Sequence, residues 1–278
     1  MFRARGSVNV KDKQGNWRVI PSPDGAGTVG DGETLKTGDD GEAILEGGGE
    51  TRVGVGPGTE GTVGEEDGIK VPVLNLPCGS AYCSVLTKAK KAGVSFKIQT
   101  DVGVTSVTGA ELLVRKQASG FTVFLSESSC VVGDREGKRA TVPTGEAGFV
   151  RPWAAARFSA VGAGPDDAAA GKTAAAILVA EVHRLALDAL LTVGDRARKD
   201  PGLATRIADA LAGMARRDAG PPQAGKVVVK LTVEGAALKK ELEKLLGVAL
   251  GSCAVGTTRT LPEGAMAEIG AFRKLVRG

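Results

Sequence analysis

The sequence predicts a mainly β N-terminal domain, an antiparallel β-sandwich or barrel-like coil of short strands, followed by a helical hairpin and a small α/β module. Three observations predict it. Glycine, at 41 residues, has about twice its usual share, while aromatic residues make up 4%. From residue 2 to about 150, short alternating or β-branched stretches separated by Gly, Asp or Asn recur at intervals of about ten residues. After "GFVRPWAAARF" the text turns alanine- and leucine-rich, with apolar side chains at helical spacing. The chain has 278 residues and 42% hydrophobic content, enough for packed cores. The boundaries implied are residues 1–155 for the β domain, 156–222 for a linker and antiparallel helix hairpin, and 223–278 for a βαβα-like module.

Taken in order, "SVNVKDKQGNWRVI" reads as strand, turn at Lys13 to Asn16, strand. The same alternation recurs in "EAILEGGGETRVGV", "VSFKIQT", "GVTSV", "AELLVRKQASGFTVFL", "SCVVGDREGKRATV" and "AGFV". Residues 163–171, "AGPDDAAAG", read as a small-residue linker or helix lead-in. A helix over 172–193 carries Leu178, Val182, Leu185 and Ala189 on one stripe. A second helix takes Asp200 as N-cap and Pro201 as its first residue, with Leu203, Ile207 and Leu211 on one face and "GPP" at 220–222 as the stop. "KVVVKLTV" alternates as a strand through Val227, Val229, Leu231 and Val233. "AALKKELEKLLG" is helical, with Leu238, Leu242 and Leu245 inward and Gly247 as its C-terminal stop. "VALGSCAVGTT" supplies a further strand. Thr260 and Glu263 have capping-box spacing around Pro262, before a last helix through Met266, Ile269 and Phe272.

Four motifs invite a chemical reading. "GPGTEG", with Gly56, Gly58 and Gly61, matches the dinucleotide fingerprint, but "TVGEEDGIKVPV" follows where a helix N-terminus must face the pyrophosphate. "GDDGE" lacks the later ligands of a calcium loop, and Gly38, Asp39, Asp40 and Gly41 are the residues of a tight turn, as is Gly109 further on. Gly171, Lys172 and Thr173 precede helical text, yet Asp166 stands where a phosphate loop needs glycine. The single histidine, His183, sits in a helix with no nucleophile suggested nearby, and Ser126, Ser128 and Ser129 fit no nucleophile motif. Trp17 and Trp153 read as core or rim packing. No catalytic residue, cofactor site or metal site is expected, so the chain is read as non-enzymatic.

The net charge of +4 is uneven: residues 1–75 carry 13 acidic and 8 basic side chains, a net of −5 that leaves +9 on the rest. This is not the basic stripe of a nucleic-acid binder. No window approaches the roughly 18 uninterrupted apolar residues of a membrane span, and "MFRARGSVNV" shows no export signal or anchor. The four cysteines are Cys78, Cys83, Cys130 and Cys253. "CGSAYC" is spaced too widely for a zinc knuckle. A hairpin over it would set Cys78 opposite Cys83 and permit a disulfide; the alternative is buried free thiols.

The punctuation of residues 6–150 resembles the FecR domain family. The likeness runs through "GSVNV", "NWRVI", "VGDGETLKTGDDGEAILEGGGETRVGVGPGTEGTV", "FKIQTDVGVTSVTGAELLV", "FTVFLSESSCVV" and "VPTGEAGFV". It departs from the family at Asp101, Ala110, Ser128 and Cys130. The resemblance implies an all-β domain of the bacterial cell envelope, usually periplasmic. In the family's signalling branch such a domain relays receptor occupancy to a sigma-factor regulator, through a cytoplasmic segment and a membrane helix that are not seen before Gly6. The resulting expectation is a non-catalytic binding or sensing module of the periplasm or envelope, whose partner is an envelope protein or a glycan, with no nucleic acid and no direct membrane span. The alternative is a scaffold that self-associates through residues 166–278 as a homo-oligomer.

Overall fold

The computed structural model describes residues 2–21, 25–47, 51–66, 69–85, 96–107, 111–127, 130–191, 200, 202–220, 225–262 and 264–277. The chain forms two compact units: unit 1 contains residues 1–150 and 258–278, and unit 2 contains residues 151–257.

Unit 1 is the expected β domain, built as two sheets that share one strand. The first sheet, A, runs in the order β4 (Gly25–Gly27), β1 (Phe2–Arg5), β6 (Glu42–Gly47), β7 (Thr51–Val55), β9 (Ile69–Val85), β12 (Glu111–Gln117), β13 (Gly120–Glu127), β16 (Ala147–Pro152). Sheet B runs β3 (Trp17–Ile20), β2 (Val8–Lys11), β5 (Thr34–Thr37), β8 (Glu60–Glu66), β9, β10 (Phe96–Gln99), β11 (Gly103–Val107), β14 (Cys130–Asp134), β15 (Arg139–Val142). Neighbours in both sheets are antiparallel except β9 and β10, which run parallel. Strand β9 pairs in sheet B up to Cys78 and in sheet A from Gly79 onward. Gly79 makes that corner: its φ is +88°, and a Cβ there would collide with Thr59.

The corner overturns the hairpin expected over "CGSAYC". Cys78 and Cys83 lie on one continuous strand, and five residues of extended chain span about 16 Å, well beyond disulfide reach. None of the four cysteines is in a disulfide; Cys78 is exposed and Cys83, Cys130 and Cys253 are buried.

The two sheets differ in how they bury their strands. Sheet B alternates, as in β2, β10 and β11, where every second residue is buried. Sheet A is buried on both faces: the first four residues of β12, "ELLV", are all inaccessible. One face meets sheet B, where Gly148 of β16 approaches Val132 and Val142. The other is covered by α4 (Ala265–Arg277). Isolated helices of this length are marginal in water, so α4 depends on that apolar contact. Ala265, Ile269, Phe272 and Val276 are buried at i, i+4, i+7 and i+11, with Leu275 beside the last of them. Met266, named in the expected helix, is 56% exposed because the buried stripe starts one residue earlier, at Ala265. The helix begins after Gly264, and Glu263 of the expected capping box lies outside the described residues.

Unit 2 holds a three-stranded antiparallel sheet, β17 (Arg157–Gly164), β19 (Val227–Glu234), β18 (Arg216–Ala219), in that order. It is joined by α1 (Asp167–Leu191), α2 (Leu203–Met214) and α3 (Gly235–Leu246), and β20 (Cys253–Thr258) follows. The residues read as a linker, Ala163 and Gly164, end a strand in which Phe158, Ala160, Gly162 and Gly164 are buried alternately. Their small size is the reason: a Cβ on Gly162 would enter the backbone of α1 at Ala170 and Ala174. Leu178, Val182 and Leu185 of α1 are buried as expected, and the side chain of Ala189 lies outside the described residues. In α2, Leu203, Ile207 and Leu211 are buried, but Asp200 caps no helix side-chain-wise; it accepts from Gly202 N at 2.9 Å and pairs with Arg206. Pro201 lies outside the described residues. Gly247 closes α3 in the left-handed conformation, φ +65°, donating to Glu243 O at 2.9 Å. The expected βαβα module over 223–278 does not form one body, because β20 is absent from the β17–β19–β18 sheet and α4 packs in unit 1.

Candidate functional site

Two surfaces of unit 1 stand out by their side chains, one exposed and one covered by α4. The first is the β2–β3 hairpin. Its turn is closed by Asp12, whose carboxylate accepts from Asn16 N at 2.8 Å and Asn16 Nδ2 at 3.0 Å; these bonds hold the Asp12 carboxyl below its usual range. Arg18 anchors the hairpin by donating to Thr28 O at 2.6 Å and to Glu33 at 3.2 Å. The opposite face of β3 presents Trp17, 48% exposed, and Val19, 75% exposed, with Lys11 Nζ 5.8 Å from the Trp17 ring centroid. Among the described residues β3 pairs only with β2, which leaves its other backbone edge at the margin of sheet B. Trp17 is thus a surface group, whereas Trp153 is buried with its ring 6.0 Å from that of Phe158.

The second surface is the outer face of sheet A. One straight cross-strand row, Ile44, Gly54, Tyr82, Leu113, Phe124 and Ala147, crosses five pairings and lies beneath α4. Phe272 stacks on Tyr82, with ring centroids 5.7 Å apart and planes within 8°. It fits because glycine stands at Gly54 of β7 and again at Gly56, just past the strand's end: a Cβ on Gly54 would stand 2.8 Å from the ring, and one on Gly56 2.9 Å. Arg52, next in the same alternation, donates to Val276 O at 2.7 Å and so satisfies a carbonyl of the last helical turn. On β12 the outward residues Glu111, Leu113 and Arg115 read α4 in turn. Arg115 pairs with Glu268 through two nitrogens and lies over the Phe124 ring at 5.2 Å. Glu111 accepts from Arg273 Nε at 2.7 Å. Burial and the Glu111 charge push the Tyr82 hydroxyl well above the usual phenol range.

Apart from Trp17 and Gly56, the residues singled out from the sequence fall elsewhere. Gly38 to Gly41 form a turn, with Gly41 N donating to Gly38 O at 3.0 Å and Ser7 N to Asp40 at 3.3 Å. Gly109 lies outside the described residues. Gly56, Gly58 and Gly61 lead into β8, not a helix, and Gly171, Lys172 and Thr173 lie within α1, behind an N-terminal turn in which Asp166 accepts from Ala169 N at 2.8 Å. His183 is half-buried on α1. Nearby on that helix burial pushes the Glu181 carboxyl up, partly offset by Arg151 and Arg184. Among the described residues no group of three or more His, Cys, Asp or Glu is placed to hold a metal, and no helix is long and apolar enough to cross a membrane.

The thiols give a direct test of the β9 corner. Burial raises the Cys130 thiol to about 11 and Cys83 further. With an aromatic disulfide reagent at pH 8, the native protein is expected to release one equivalent promptly, from Cys78, and four after denaturation without reductant. Two thiols after denaturation would mean that Cys78 and Cys83 are bridged.

No family model matches the chain, and no curated protein matches it. Among solved structures it is similar to two crystal structures described as a "putative anti-sigma factor" from Parabacteroides distasonis ATCC 8503, with TM-scores of 0.37 and 0.36 and identities of 15% and 16%. Each alignment covers 42% of this chain and 54% of the other, so it spans about half of those proteins.

Proposed function

We propose that this chain is a non-catalytic, FecR-like binding and sensing module of the bacterial cell envelope that recognises an envelope protein or a glycan. The observation that carries the reading is the β2–β3 hairpin, where Trp17 and Val19 stand exposed side by side on an edge strand, with Lys11 against the indole. A single exposed apolar residue is ordinary, but an aromatic and a β-branched residue on one face beside an open strand edge form a recognition surface. A flat indole serves equally to stack on a sugar ring or to anchor a protein contact.

The test has two parts. The protein expressed from its complete gene is expected in the envelope fraction, and cross-linking there is expected to capture a protein or glycan partner. Trp17→Ala should reduce that capture about tenfold or more, in keeping with a hot-spot aromatic, while leaving thermal stability almost unchanged because the side chain is half exposed. Recovery solely from the cytoplasm, or capture indifferent to Trp17, would remove the proposal.

A further inference from the structure

The face of sheet B turned away from sheet A carries one unbroken row of polar side chains that starts at Trp17. The registers place Trp17 opposite Lys11, Lys11 opposite Thr34, Thr34 opposite Thr62, Thr62 opposite Asn75 and Asn75 opposite Gln99, so a single line crosses six strands without a step. Strands about 4.8 Å apart make that line about 24 Å long. Val10, Leu35, Leu74 and Ile98, at alternate positions of the same strands, are buried in the core, whereas every residue of the row is half-buried or exposed. We propose that the row is the binding track for an uncharged, extended, β-linked glycan that begins on the Trp17 indole and lies across the strands. This deepens the binding-module reading above and rests on it.

Three observations favour a sugar chain over a protein surface. Beyond Trp17 the row offers hydroxyls and amides, with one cation and no carboxylate, whereas the centre of a protein interface is apolar and aromatic. Each amide sets a donor beside an acceptor, which matches two neighbouring hydroxyls of a sugar ring, and the Thr34 and Thr62 hydroxyls, bonded to each other at 2.8 Å, keep lone pairs that can accept from one. The ions at the Trp17 end are already opposed: Lys11 lies against the indole, Lys36 pairs with Glu60 at 3.6 Å and Lys13 with Asp31 at 3.5 Å, which suits an uncharged chain. There is also room on the face. Gly64, two residues after Thr62, adds no side chain beside exposed Asn75, and the nearest atoms to a Cβ there would be Asp31 Oδ1 at 3.7 Å and Asn75 Nδ2 at 3.9 Å. A line that crosses strands in register suits a β-linked chain, which extends, and not an α-linked one, which coils.

Titration calorimetry of the full chain with cellohexaose, chitohexaose and maltohexaose tests it. At least one of the two β-linked hexaoses is expected to bind, about tenfold or more tightly than its own disaccharide, which spans only part of the row. Trp17→Ala should weaken that binding about tenfold. Asn75→Ala, four pairings away and exposed, should weaken it about fivefold while leaving the melting temperature almost unchanged. Failure of both β-linked hexaoses to bind, equal binding of maltohexaose, or an Asn75→Ala variant that binds as the wild type does would overturn the track. A protein partner captured through Trp17 from the envelope, with no hexaose bound, would overturn the track and leave the binding-module reading standing. Recovery of the protein solely from the cytoplasm with Asn75-dependent cellohexaose binding would remove the envelope reading and keep the track.

Discussion

Phe272→Ala is expected to destabilise unit 1 by about 3–5 kcal/mol, the range for truncating a buried aromatic side chain. The ring is buried between α4 and the sheet, stacked on Tyr82 at 5.7 Å, in a recess that exists because residues 54 and 56 lack side chains. No neighbour can fill the void cheaply, because the recess floor is backbone and the Tyr82 ring is already packed against Leu113 and Phe124 in the same cluster. The measurement is urea unfolding followed through the two sheets by circular dichroism, with Met266→Ala as control. Met266 sits on the same helix but is 56% exposed, so its truncation should stay within about 0.5 kcal/mol. Equal, small losses for both would show that α4 is not seated on sheet A.

The second large effect is expected at Gly162→Ala. The added methyl would enter the backbone of α1 at Ala170 and Ala174, and a backbone cannot rotate out of the way as a side chain can. The helix must then move off β17, at a cost of about 1–3 kcal/mol or more. Gly213→Ala in α2 gives the opposite sign: nothing lies within 4 Å of the new methyl, and replacing a helical glycine should stabilise by roughly 0.5–1 kcal/mol. Thermal unfolding of both variants checks the pair. A neutral Gly162→Ala would mean that α1 does not lie against that strand.

Legibility in the sequence followed exposure. Sheet B strands were readable because one of their faces meets water, so Val8 and Val10, or Phe96 and Ile98, alternate with polar residues. In sheet A, β6, β7, β12, β13 and β16 were found by their turns, but "ELLV" and "AGFV" gave no hint of a second covering layer, since a strand buried on both faces simply reads as apolar. Strands β1, β4, β5, β8 and β9 fall outside the stretches read as strands, and in unit 2 both partners of β19 were missed. Small inward residues disguised β17 as a linker, and β18, "RRDA", is exposed throughout and has no pattern to detect.

The face of sheet A that α4 covers was the hardest to foresee. Its partners are 153 residues apart at Arg115 and Glu268 and 162 apart at Glu111 and Arg273, and no local periodicity connects them. The signal was present in the alternation of Arg52, Gly54 and Gly56, where glycine on the outward face of a strand marks a close neighbour. Gly79 failed for a related reason: a glycine that bends one strand between two sheets looks in sequence like a glycine that reverses a hairpin.

The order in which these parts become available gives the covering of sheet A a timetable. Translation proceeds from the N-terminus, so β1 to β16 can pair as soon as residue 150 has emerged, whereas α4 is complete only at residue 277. At about 5–20 residues per second the interval lasts roughly 6–25 s. Throughout it, on every ribosome of a polysome, a row of Ile44, Tyr82, Leu113 and Phe124 stands bare beside the same row on neighbouring nascent chains.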